Sequence, residues 1–164
     1  MSVELNESEI IQNPALGAFA LWKFGLGFQA DDSRPAPMPL LFLILPLLMH
    51  RQTSEVIEST RKASGLTLFA AKLGEERENL LAVHERALIL RKLTWDSLEL
   101  GIRGGLLTVN YVEATVRANT LLGAVAKTVL PERLKNLPNS AEKIGYWFSK
   151  TGLNQIATTL RVEF

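Results

Sequence analysis

Cysteine is absent from this 164-residue chain, and histidine occurs only twice. Without cysteine there is no disulfide scaffold, no thiolate zinc site, no iron–sulfur cluster and no thiol nucleophile. The absence also fits a cytoplasmic protein. Charge of one sign is missing as well: 18 basic against 17 acidic residues leave a net of +1. That balance excludes a polybasic arm, an acidic solvating tail and an intrinsically disordered composition. Long apolar runs are missing too. The strongest, residues 38–49 (MPLLFLILPLLM), has 12 residues, two of them proline, whereas a membrane-crossing helix needs about 20. It reads as a buried core helix, and no membrane anchor is expected. Residues 1–12 hold Glu4, Glu7 and Glu9 and no Lys or Arg, the reverse of a secretory or transit leader.

What is present is a chain that is 47% hydrophobic, enough for a real core at this length, so one domain over residues 1–164 is expected. The patterning is helical for most of its course. Asn13 can cap free amides and Pro14 suits the first helical position, opening a helix that runs to about Phe28. Leu16, Phe19, Trp22 and Phe24 cover most of its circumference, so little of it can face water. Residues 31–37 (DDSRPAP) read as a loop. A second helix is expected over residues 39–50, kinked at Pro46. A polar third follows at 54–63, with Glu55, Glu58, Arg61 and Lys62 outward, and a short one at 66–73. Residues 75–92 read as a longer helix burying Leu80, Leu81, Val83, His84, Ala87, Leu88 and Leu90. Glu75, Glu76 and Glu78 in its first turn and Arg91 and Lys92 in its last would suit the helix dipole.

Texture changes after that. Thr94 is placed to cap a helix over residues 95–103, which Gly104 and Gly105 end. The β-branched runs 106–109 and 114–117 suggest a hairpin. Helices near 131–137, 141–151 and 154–160 close the chain, with Asn139 and Ser140 as the cap of the second. The fold expected is mainly α with a small β-hairpin. It comprises a helical part (13–92), a part like a winged helix-turn-helix (93–120) and C-terminal helices (121–164).

The catalytic inventory is nearly empty. His50 and His84 belong to no ligand-spaced pair: His50 reads as a cation at a helix C-terminus, and His84 as a satisfied core histidine. Gly25 and Gly27 lie within a helical pattern, and Gly104-Gly105 lacks the Lys and Ser/Thr of a phosphate loop. No GxSxG or SxxK motif occurs, and Asp31-Asp32 reads as a solvated turn. No enzyme activity, metal or cofactor is expected.

Nucleic acid is the next class to weigh. Residues 114–162 carry seven basic side chains, Arg117, Lys127, Arg133, Lys135, Lys143, Lys150 and Arg161, against Glu132 and Glu142, while residues 1–32 are net acidic. Yet the helix that would enter a groove reads WDSLELGIR, poor in the Arg, Lys, Asn and Gln that read bases. Loose contact with the DNA backbone, or protein contact, fits it better than sequence readout.

Three blocks carry a resemblance: residues 13–28 (NPALGAFALWKFGLGF), 38–55 (MPLLFLILPLLMHRQTSE) and 142–162 (EKIGYWFSKTGLNQIATTLRV). The markers are Pro39, Pro46, Arg51 and Thr53 in the second block. Gly145, Trp147, Phe148, Gly152, Ile156, Leu160 and Val162 mark the third. In this order and spacing they resemble the middle component of bacterial ABC three-component systems, relatives of the Lamassu anti-phage defence systems. The likeness is loose between residues 110 and 139, where Pro138 interrupts a helix that the family pattern would make longer. The resemblance implies a non-catalytic adaptor that couples an SMC- or Rad50-like ABC ATPase to an effector such as a nuclease. Trp22, Phe24, Phe28, Arg51, Trp147 and Phe148 are then the candidates for partner contact. Trp22, Phe24 and Phe28 read equally well as ordinary core. Arg117, Lys143 and Lys150 are the candidates for touching the DNA backbone. Two alternatives stay open, a stand-alone winged-helix DNA-binding protein and a membrane-associated or toxin-neutralising small protein.

Overall fold

The structure, a computed structural model, describes residues 13–120 and 130–164; the acidic N-terminal stretch and Lys127 lie outside the described residues. The fold is mainly helical with a small antiparallel sheet. Helix α1 (Pro14–Gln29) starts as its sequence dictates, with the Asn13 side chain accepting from the Leu16 N–H at 3.1 Å and Pro14 at the first position. A short strand β1 (Ala36–Pro37) then leads into α2 (Met38–Leu48). The loop expected at 31–37 therefore ends in a strand, because Ala36 and Pro37 pair with Val116 and Thr115 far along the chain.

Helix α2 continues through Pro46, and the chain turns sharply only after it, by 101° into α3 (Arg51–Ser59). Residues 43–48 are all buried, each large side chain contributing roughly 1.5–3 kcal/mol relative to exposure. Among the described residues no single helix is long and apolar enough to cross a membrane; α2 and α3 would pass only as that bent pair.

A 3₁₀ turn (Lys62–Ser64) and α4 (Gly65–Leu73) follow. The two helices expected over 75–92 and 95–103 are α5 (Arg77–Ile89) and α6 (Arg91–Arg103), with the break at Leu90 instead of at 93–94. Arg91 and Lys92 thus open α6 instead of closing α5. Thr94 lies inside α6, where its hydroxyl donates to the Leu90 carbonyl at 3.2 Å, so it is not a cap. Helix α6 ends at Gly104 and Gly105, as its glycines suggest, with Gly105 at φ +77°.

Strands β2 (Leu107–Asn110) and β3 (Thr115–Ala118) form the expected hairpin, in register Leu107 to Ala118 and Asn110 to Thr115. The Asn110 side chain accepts from the Val112 and Glu113 N–H groups and shapes the turn. Strand β1 adds on the far side of β3, giving the order β1-β3-β2. A 3₁₀ turn (Glu132–Leu134) stands where a helix over 131–137 was expected. Helix α7 (Leu137–Ser149) takes Pro138 into its first turn, so Asn139 and Ser140 lie within it and do not cap it. Helix α8 (Leu153–Leu160) completes the fold.

Helix α1 is the hub. One side lies back-to-back on α7, where a Cβ on Gly27 would sit 2.1 Å from the Glu142 carbonyl oxygen and one on Gly145 2.2 Å from the Phe24 oxygen. These glycines let two helix backbones touch, which is why Phe24 and Phe148 meet edge-on at 5.9 Å. Gly17 instead leaves room for the Ser97 side chain of α6. Gln29 then fixes the hairpin by a reciprocal pair: its Nε2 donates to the Ala118 carbonyl at 3.0 Å, and its Oε1 accepts from the Ala118 N–H at 2.6 Å.

Candidate functional site

Five of the six residues expected at a partner interface lie in this chain's own core. Trp22, Phe24, Phe28, Trp147 and Phe148 are all buried. Trp22 donates its indole N–H to the Asn119 carbonyl at 2.8 Å, and Trp147 donates to the Lys62 carbonyl at 2.9 Å while stacking on Phe69. For Trp22, Phe24 and Phe28 this is the core reading that the sequence equally allowed: the apolar surplus of α1 packs on α6, α7 and the hairpin. Arg51 alone is exposed, paired with Glu55 one helical turn on at 3.2 Å.

The three basic candidates differ in what they do. Lys143 points its ammonium at the open C-terminal end of α3, donating to the Ile57 and Thr60 carbonyls at 2.9 Å and reaching the Glu58 carbonyl at 3.4 Å. A cation there satisfies carbonyls that the helix leaves unpaired, and burial holds its pKa below the ordinary lysine value. Lys150 forms an ion pair with Asp31, which raises the lysine and lowers the carboxyl. Arg117, on the outer face of β3, donates to the Ser33 carbonyl at 2.8 Å with its side chain exposed.

His50 stands at the N-terminus of α3, not at a free helix C-terminus. Its Nδ1 accepts from the Thr53 N–H at 3.4 Å and lies 2.8 Å from the Thr53 hydroxyl. That hydroxyl in turn accepts from Arg86 of α5 at 3.2 Å. His50 thus serves as the side-chain cap of α3, and burial lowers the pKa of Arg86 below the ordinary arginine value. His84 is half-buried, its Nδ1 accepting from the Glu163 N–H at 3.3 Å. Among the described residues no cluster of three or more His, Asp and Glu could hold a metal ion.

The surface feature that the sequence did not disclose lies beside the hairpin. An open apolar groove of about 480 Å³ runs between the start of α2, the α5–α6 pair and the Val162–Phe164 tail, with Ala114 at its end. Phe42 and Trp95 meet edge-on at 4.9 Å on its floor. Leu81 and Leu88, expected inside, are exposed, and among α5 residues only Val83 is fully buried. At about 100° per residue, Leu81 and Leu88 align with each other and fall well off the Val83 direction. The seven-residue spacing of Leu81 and Leu88 within α5 is the signal that was available for their shared face. The exposed side of α6 is otherwise self-neutralised, by Lys92–Asp96 at 2.8 Å and Glu99–Arg103 at 2.7 Å.

No curated protein and no solved structure matches this chain. A family model does match, over residues 1–164, so the chain belongs to the family described as ABC-three component (ABC-3C) system Middle Component 3.

Proposed function

We propose that this chain is a non-catalytic adaptor of an anti-phage defence complex related to Lamassu. It couples an SMC- or Rad50-like ABC ATPase to an effector, a nuclease being the first choice, in the cytoplasm. The observation that carries the reading is the family match along the whole sequence; membership of a three-component system implies partner components. The sequence supports it by offering no nucleotide loop and no nucleophile motif, which leaves chemistry to the partners. Residues 93–120 act as a winged helix in this reading. The support is topological: a helix precedes a hairpin whose strand β3 also receives β1. Any DNA contact is to the backbone and without sequence preference, because Lys92 and Arg103 of α6 are paired with acids of that helix and Arg117 is exposed with no acidic partner among the described residues.

Co-expression with the two neighbouring components tests the reading. A stable complex containing all three, with ATP hydrolysis and nuclease activity present in the complex and absent from this chain purified alone, is the expected result. A chain that recovers neither component, or that by itself cleaves DNA through two successive columns, refutes it. Selection from random duplexes separates the stand-alone regulator: one enriched motif would favour that alternative, and none is expected.

A further inference from the structure

We infer that a band of cations, Arg117, Arg34, Lys150 and Lys62, is the surface on which this chain meets the DNA backbone, which rests on the reading of backbone contact above and names its place. Contacts within the chain make the band continuous. Arg117 donates to the Ser33 carbonyl at 2.8 Å, and the next residue, Arg34, donates from Nη2 to the Ser149 carbonyl at 3.0 Å. Lys150 follows Ser149, and its ammonium stands 5.4 Å from the centre of the Tyr146 ring. Lys62 stands 4.4 Å from the centre of the same ring, its backbone carbonyl tied to α7 by the Trp147 indole at 2.9 Å. All four cations are exposed. Arg34 and Lys62 lie far in sequence from the basic stretch 114–162, so only the fold brings them in.

Two acids belong to the band. Asp31 pairs with Lys150, and Asp32 lies 3.6 Å from Arg34. Arg117 and Lys62 join no ion pair among the described residues; a carbonyl and an aromatic ring hold them, and neither cancels a full charge. Four cations against two carboxylates leave the band positive, whereas on α6 Lys92 and Arg103 are each paired with an acid one turn away. The two guanidinium groups keep unspent N–H donors in the planar fork that suits phosphate oxygens. An acidic protein fits less well. None of the exposed large apolar side chains among the described residues belongs to the band, so it offers no seat for the buried anchor that a protein interface uses.

The test is fluorescence anisotropy of a labelled DNA duplex of random sequence with the purified full chain, over about 20–200 mM salt. With Lys150 held by Asp31, three cations meet phosphate, so the logarithm of affinity should fall against that of salt with a slope of about −3. Arg34→Gln and Lys62→Gln should each flatten the slope by about one unit with little change in Tm. Asp31→Asn, which releases Lys150, should tighten binding several-fold and steepen the slope by about one unit, a gain that a merely structural role for these side chains would not give. Lys92→Gln, on α6, should leave the slope unchanged. A slope unmoved by Arg34→Gln and Lys62→Gln, with the duplex still bound, overturns the inference and leaves backbone contact elsewhere on the chain standing. Displacement of the duplex by polyglutamate of equal charge, as readily as by unlabelled duplex, overturns it in favour of an acidic protein. No duplex bound at the lowest salt, by the chain or by the co-expressed complex, overturns this surface and the backbone-contact reading together, while recovery of that complex keeps the adaptor reading.

Discussion

The contact between α1 and α7 makes a prediction opposite in sign to helix propensity. Replacing glycine by alanine inside a helix ordinarily stabilises it by about 1 kcal/mol. At Gly27 the new methyl would lie 2.1 Å from the Glu142 carbonyl oxygen and 2.7 Å from its carbonyl carbon and Cα. All three are backbone atoms, so no side chain can swing away. Ordinary contact begins at 3.4 Å, which requires the helices to part by more than an ångström. A gap of that size forfeits a quarter to a half of each dispersion contact across it. Phe24, Phe28, Ala141, Ile144 and Phe148 are the buried side chains near that seam. With roughly 1.5–3 kcal/mol for each of the four large ones, losing about a third gives a gross cost of about 3 kcal/mol. Net of propensity, Gly27→Ala should destabilise by about 2 kcal/mol, lowering Tm by roughly 4–8 °C. Gly145→Ala should behave alike, its methyl 2.2 Å from the Phe24 oxygen and 2.7 Å from the Phe28 nitrogen. The double variant should cost less than the two singles together, because both part the same helices. Gly152→Ala is the control for steric clash: nothing lies near its Cβ position, and as the N-cap of α8 it should lose no more than about 1 kcal/mol. Urea titration followed by circular dichroism measures all four. Neutral or stabilising Gly27→Ala and Gly145→Ala would refute backbone contact between α1 and α7.

Four further outcomes follow from the polar contacts. Lys143→Ala should lower stability by about 1–2 kcal/mol, by uncapping α3, while leaving the salt dependence of any DNA binding unchanged. Arg117→Ala should instead flatten that salt slope by about one unit at unchanged Tm, and a filter-binding series over salt distinguishes the two. Asp31 should titrate below its ordinary value of 3.8 because Lys150 pairs with its charged form, so its contribution is present above that value and lost as pH falls through the lowered pKa. In Lys150→Gln the Asp31 midpoint, read by carbon-detected NMR, should move back up; an unmoved midpoint rejects the pair. His50→Ala should cost about 1 kcal/mol by removing the α3 cap, and His50→Asn should recover much of it in thermal melts, since Asn is a strong N-cap.

Local signals were legible wherever a residue's conformational effect does not depend on distant partners. Asn13-Pro14 starts α1, Gly104-Gly105 ends α6, and the β-branched runs make the hairpin, because capping, φ restriction and side-chain branching act within a few residues of chain. The boundaries that failed depend on long-range packing. The break between α5 and α6 falls at Leu90 and not at 93–94, Ala36 and Pro37 become a strand through Val116 and Thr115, and α7 starts at Leu137 instead of after Asn139 and Ser140. The same division applies to the site. Sequence alone determined a helical chain with no motif for catalysis, because motifs are short and their absence can be read directly. Which apolar residues face water was decided by tertiary structure. Trp22, Phe24 and Trp147 have partners in α7, the hairpin and α4, whereas Leu88 and Trp95, no less apolar on paper, stand beside a groove. Burial is a property of the neighbours that a residue meets, and one-dimensional periodicity names a helix face without saying what covers it.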